Sequence, residues 1–177
     1  MLGSIFNCFE NLVKEQYSVQ QWEAILAKVG PQATTRMFAH RPYDDDIFYQ
    51  IYQIACKELN ISRDQLAEAF GKAWMAYASK HYFAFFIAWS NAREFILAMD
   101  RTHTKITDKI DNATPPRFYY DVVDDQTINI TYDSPRNLGF LMVGLLKAVE
   151  DFFDEKMTVV ALDENITQIT FHTYEGS

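Results

Sequence analysis

Tyr132, Ser134 and Arg136 occupy alternate positions of the stretch TYDSPRNLGF, just ahead of an apolar run. Side chains along a strand point to opposite faces in turn, so the three are expected on one side. That side of an amphipathic strand normally carries Val or Ile for the core. Two hydroxyls and a guanidinium instead suit an anion with several oxygens, because Arg grips carboxylate or phosphate through a planar fork. Taken alone, the motif fits better a strand end whose arginine pairs with a surface acid. No GxxxxGK[ST] or GxGxxG loop supports a nucleotide. The carboxylates of a haem would satisfy the same three groups, and that reading requires an axial ligand elsewhere.

Four histidines are available for that role. His40 stands in the irregular AHRPY, His81 in SKHYF near a helix end, and His172 close to the C-terminus. His103, in FILAMDRTHTKI, follows Met99 by four positions and Ile96 by seven, and so shares their apolar helical face. A lone helical histidine is most often a hydrogen-bonded packing residue. Neutral imidazole is nevertheless the ordinary proximal ligand of haem iron. No second His or Cys lies at zinc-ligand spacing from it.

The elements that must position these groups follow from hydrophobic period. Ile5, Phe6, Phe9, Leu12 and Val13 have helical spacing, as do Trp22, Ile25, Leu26 and Val29 before Gly30-Pro31. Residues 33–42 lack a period and are expected to form a loop. Asp44, Asp45 and Asp46 enrich the first turn of a helix bearing Phe48, Ile51, Ile54 and Ala55, where acids complement the helix dipole. Ser62 with Gln65 is a capping-box pattern opening a helix through Leu66, Phe70 and Tyr77. Ser90 with Arg93 and Glu94 is expected to begin one helix carrying Phe95, Ile96, Met99, His103, Ile106 and Ile110, stopped by Pro115-Pro116. Beyond the prolines the period changes to two. Strands at 118–123 and 127–133 flank one turn, and strands at 157–162 and 166–173 flank another, with a helix at 138–153 between the hairpins. The expected fold class is α+β: a helical N-terminal half, and a C-terminal half with a four-stranded antiparallel sheet.

Composition bounds the rest. A chain of 177 residues, 49% hydrophobic, suits a single domain spanning 1–177 with a sizeable core. A net charge of −8 argues against a nucleic-acid surface, and no Lys/Arg run suggests an anionic membrane. No apolar stretch reaches transmembrane length, and MLGSIFNCFENLV lacks the marks of a signal peptide. Cys8 and Cys56 fit free thiols in a reducing cytoplasm.

REFILAMDRTH, then ATPPRF, then YDSPR before an apolar helix resembles the H-NOX family of haem–nitric oxide/oxygen binding domains, which includes the haem domain of soluble guanylate cyclase. MLGSIFNCFENLV and AFGKAW resemble it too, so the likeness spans essentially the whole chain. The resemblance implies haem b lying between the two halves. It makes His103 the proximal iron ligand and Tyr132, Ser134 and Arg136 the holders of the propionates. It sets Pro116 against the porphyrin, which it distorts from planarity, and Met99 packs on the haem side. Oxygen-binding members carry a distal tyrosine where this chain has Leu141, and no Tyr or His occurs from Asn137 to Phe153. The distal wall is therefore expected to be apolar, built from Ile5, Phe9, Trp74 and Leu141. Trp74 is first a packing residue whose indole N–H is the one obvious donor; Tyr77 on the same helix is left open. Some bacterial relatives have a cysteine-rich zinc site near the C-terminus, but 157–177 contains no cysteine.

The resemblance thus implies a sensor, not an enzyme, with NO and CO as ligands and little help for oxygen. Its output would lie in a separate histidine kinase or cyclic-dinucleotide signalling enzyme. Two other classes remain: a haem-using peroxidase-like catalyst, for which no distal His/Arg pair is evident, and a haem-free interaction module of the same fold.

Overall fold

Apolar residues three and four apart wind the front of the chain into helices. The computed structural model describes residues 1–33 and 36–172, and places α1 at Gly3–Gln16, α2 at Val19–Val29, α3 at Asp45–Glu58 and α4 at Arg63–His81. Local chemistry explains the starts. The Ser18 hydroxyl accepts from the Gln21 amide, Asp44 accepts from the Asp46 amide, and Ser62 with Gln65 forms a reciprocal capping box. α1 buries Phe6, Phe9, Leu12 and Val13, and Phe9 meets Phe48, Tyr52 and Phe70 at centroid distances of 5.5, 5.7 and 5.8 Å. Of the loop expected at 33–42, Ala33 closes a short 3-10 turn, and Thr34 and Thr35 lie outside the described residues.

The helix expected from Ser90 through Ile110 is instead two. A single turn, α5 (Phe83–Phe86), precedes α6 (Ala92–Leu97) and α7 (Met99–Thr107). Asn91, not Ser90, caps α6, accepting from the Glu94 amide at 2.8 Å. The chain turns at Ala98, whose amide is shared between the carbonyls of Glu94 and Phe95 at 3.1 and 3.2 Å, a tightening typical of helix ends. Ile110 falls beyond α7.

The rear half is β1 (Arg117–Val122), β2 (Thr127–Asp133), α8 (Met142–Phe153), β3 (Met157–Ala161) and β4 (Ile166–Phe171). The strands form an antiparallel sheet in the order β1-β2-β4-β3, confirming the α+β reading. Thr173, the expected last residue of the final strand, lies outside the described residues. On β2 the core face is Ile128, Ile130 and Tyr132. The alternation stops there: β2 ends at Asp133, so Ser134 and Arg136 stand in the turn that follows and do not continue the face of Tyr132. Pro135, which has no N–H to give a ladder, lies between them.

α8 closes against α4 by backbone approach. A Cβ at Gly144 would lie 2.2 Å from the Ala67 carbonyl oxygen, and one at Gly71 would lie 2.2 Å from that of Gly144. Only hydrogen at both positions permits this crossing. The crossing fixes where α4 and α8 present their remaining faces.

Candidate functional site

Those faces, with α1, α7, β1 and β2, enclose a cavity of about 520 Å³. This lies within the roughly 300–1,000 Å³ typical of small-molecule and cofactor sites. Ile5 of α1, Trp74 of α4, Met99 and His103 of α7, and Leu141 at the entry to α8 line it, as do Pro116, Tyr132 and Arg136.

His103 is oriented by its own helix. Its Nδ1 lies 2.8 Å from the Met99 carbonyl oxygen. A carbonyl only accepts, so Nδ1 carries the proton and Nε2 keeps a free lone pair. Burial pushes the imidazole pKa down, against the Met99 hydrogen bond and the Asp100 charge, and nearby Arg136 lowers it as well. The ring is therefore neutral at pH 7, the form that ligates metals. The Phe118 ring of β1 lies 5.1 Å from it.

The turn of α7 that carries His103 is tied to the sheet. Asp100 accepts from Arg117 Nε at 2.7 Å and Nη2 at 2.9 Å, and from the Phe118 amide at 3.0 Å. The Arg117 hydrogen bond is the main reason that the Asp100 carboxyl sits below the usual carboxylate range. No sequence signal marked this fork.

The three groups of the YxSxR stretch are near one another but play different parts. Tyr132 is 7% exposed and lines the cavity; burial raises its pKa, while a hydrogen bond with Ser134 and the Arg136 charge pull it down. Ser134 is not on the cavity wall: its Oγ accepts from the Arg136 amide at 3.3 Å, bracing the turn. Arg136 donates from Nε to Asp45 Oδ2 at 2.9 Å, across 91 residues of sequence. The other Asp45 oxygen pairs with the amino nitrogen of Met1. The plainer sequence alternative, an arginine paired with an acid, is thus present. This pair uses Nε alone, and a guanidinium has four further N–H donors on its Nη nitrogens.

One expected wall residue, Phe9, falls elsewhere, and Tyr77, whose part the sequence left open, is off the wall too. Phe9 is fully buried in the aromatic cluster of α1, α3 and α4, because the α1 face that meets α3 contains it. Tyr77 stacks between Trp74 at 5.6 Å and His81 at 3.9 Å and does not reach the cavity. In its place the wall includes Ala78 and Tyr82, four and eight positions after Trp74. That spacing was available in the sequence and would have found the Tyr82 phenol. Among the described residues, no group of three His, Cys, Asp or Glu converges on a metal. One imidazole in an apolar cavity with an arginine at its rim does not hold a bare cation. It does suit a metal that arrives with a macrocyclic ligand and carboxylate arms, so the residues present fit a haem.

A family model for haem-NO-binding domains matches residues 2–161. The chain belongs to this family. H-NOX domains are haem-binding gas sensors rather than enzymes, and they signal to partners. Solved structures agree on the fold. An H-NOX protein from S. oneidensis in its Fe(II)NO state superposes with a TM-score of 0.86 at 19% identity, covering 98% of this chain and 100% of that one. The Fe(II) unliganded A71G mutant from K. algicida gives 0.87 at 16% identity, with 99% and 98% covered. An oxygen-binding H-NOX domain related to soluble guanylate cyclases, in its oxygen complex, gives 0.79 at 21% identity with 100% of both covered. No helix among the described residues is long and apolar enough to cross a membrane.

Proposed function

We propose that this H-NOX domain is a sensor of nitric oxide, also able to bind CO, that carries haem b and does not hold oxygen stably. The observation behind this reading is the free Nε2 lone pair of a neutral His103 on the wall of a largely apolar cavity. Bound haem supplies an iron with one coordination position open to diatomic gases. His103 Nε2 would ligate that iron, its ring fixed by the Met99 carbonyl, and the Met99 side chain would pack beside the group. Tyr132 and the Nη face of Arg136 receive the propionates, with Ser134 bracing the turn. Pro116 presses on the macrocycle.

Selectivity comes from what faces the ligand. Ile5 and Leu141 are apolar, and neither supplies the hydrogen bond that a polar bound oxygen needs; NO and CO need it less. Signalling starts at His103. Were its Nε2 no longer held, α7 would keep the Asp100–Arg117 fork as its tie to β1, and that fork would carry a shift of the helix to the sheet. A partner that binds the two positions of α7 unequally reads the change. That partner would be a separate histidine kinase or cyclic-dinucleotide enzyme in the cytoplasm.

The absorption spectrum of the purified, haem-supplied protein tests this. A Soret band that shifts with NO and with CO in the ferrous state, and no long-lived oxygen-complex spectrum in air, are expected. An absent Soret band despite adequate haem would leave a haem-free interaction module. Peroxide turnover above that of free haem would instead favour a catalyst.

A further inference from the structure

Beside the main cavity, a second pocket of about 340 Å³ opens at the surface, lined by Phe83, Phe86, Ile87, Trp89, Phe152 and Phe153. Phe86 lines both spaces, and is 8% exposed. Its ring packs on Phe95 at 5.0 Å and on Phe152 at 5.3 Å. Alongside, Phe95 on the cavity side touches Phe153 on the pocket side at 5.4 Å. The partition between pocket and cavity is thus made of phenyl rings.

We propose that Phe86 is the gate of an access route by which small apolar gases pass from this surface pocket into the cavity, a role that rests on the haem-sensor reading above. Three features support it. The first is the segment that carries the gate. α5 is a single turn of four residues with no side-chain cap; Phe83 at its start is 60% exposed and the Ile87 that follows it 65%, while Phe85 lines the main cavity beside Phe86. A turn this short, without a side-chain cap, has few hydrogen bonds of its own to lose when it opens locally. The second is the lining, which is almost wholly apolar. An apolar passage admits NO and CO readily but penalises ions and hydrogen-bonded water, which must leave partners behind. The third is that the exposed phenyl and isobutyl-sized groups around the mouth otherwise sit in water without a structural reason, and here they form its rim.

A gate on the path changes how fast a ligand enters and leaves and does not change the bound state. Association and dissociation must therefore shift by the same factor, with the equilibrium constant fixed. The experiment is CO recombination after flash photolysis, paired with CO displacement, on the ferrous holoprotein. Phe86→Ala is expected to speed both rates several-fold and Phe86→Trp to slow both, with CO affinity and the Soret maximum unchanged. Ile87→Trp narrows the mouth without touching the cavity, and is expected to slow both rates as well; it keeps the test available if changes at Phe86 weaken folding. Unchanged rates in Ile87→Trp and Phe86→Trp overturn the proposal. So does a change confined to one rate, which would place Phe86 in contact with the bound ligand. A wild-type protein with no Soret band would defeat the haem reading itself, an outcome seen before any rate is measured.

Discussion

At the scale of single residues, the site depends on two kinds of contact that respond differently to substitution. His103 is held in one tautomer by Met99, so its Nε2 is the sole imidazole lone pair on the cavity wall. His103→Gly is expected to lose tight haem binding, with added imidazole restoring the spectrum; an unchanged ferrous spectrum without imidazole would place the ligand elsewhere. Arg136 is 14% exposed and already paired with Asp45. Removing it leaves the half-exposed Asp45 carboxylate with the Met1 amino group alone in the apoprotein, and would leave a propionate without its forked partner in the loaded one. Arg136→Ala should therefore raise the haem dissociation rate well above that of Lys105→Ala, a change on the exposed side of α7. Equal rates for the two would reduce YDSPR to a structural turn. Ser134→Ala should matter less, by about 1 kcal/mol, since it removes a neutral hydrogen bond behind the wall.

At the scale of elements, two junctions set the geometry. The α4–α8 crossing has no room for a methyl group at Gly144, where backbone rather than a flexible side chain is in the way. Gly144→Ala should destabilise by about 1–3 kcal/mol, the usual cost of overpacking, read as a lower urea midpoint. A midpoint at the wild-type value would mean that the helices separate freely. The α7–β1 junction is the Asp100–Arg117 fork, and its pH dependence has a definite sign. The folded Asp100 carboxyl is shifted down, so it contributes stability above the ordinary carboxylate range and loses it as pH falls through the lowered value. Asp100→Asn should lower the melting temperature slightly at pH 7, a small change because Arg117 is well exposed, and the gap from wild type should close on acidification. A gap that widens toward acid would contradict the assignment.

At the scale of the whole molecule, ligand choice tests how all the elements meet. Ferrous protein is expected to bind CO, and to lose the His103–iron bond on binding NO, without a long-lived oxygen spectrum in air. Should oxygen persist, the donors to examine are Trp74 and Tyr82, which line the cavity, rather than Tyr77, which stacks outside it. Retention of the His103 bond with NO would leave the ligand assignment standing and remove the proposed signal.

The amino-acid sequence alone determined the elements, because periodicity and caps are local. Ser62 with Gln65, the acids at 44–46 and the strand alternation through Tyr132 each act within a few residues. It also singled out His103, since a helical face and an ordered set of motifs are both read along the chain. Tertiary structure decided which residues share a wall. Phe9 has the right type for a distal pocket, yet α3 packs on it and takes it into the core. Asp45 and Arg136 meet across 91 positions, and Asp100 finds Arg117 on a strand, with nothing local to announce either pair. The partition at Phe86 likewise comes from rings of separate helices meeting, Phe95 on one side and Phe152 on the other. Hydrophobic period records which side of an element is buried, but not which neighbour buries it, and a cavity is defined by its neighbours.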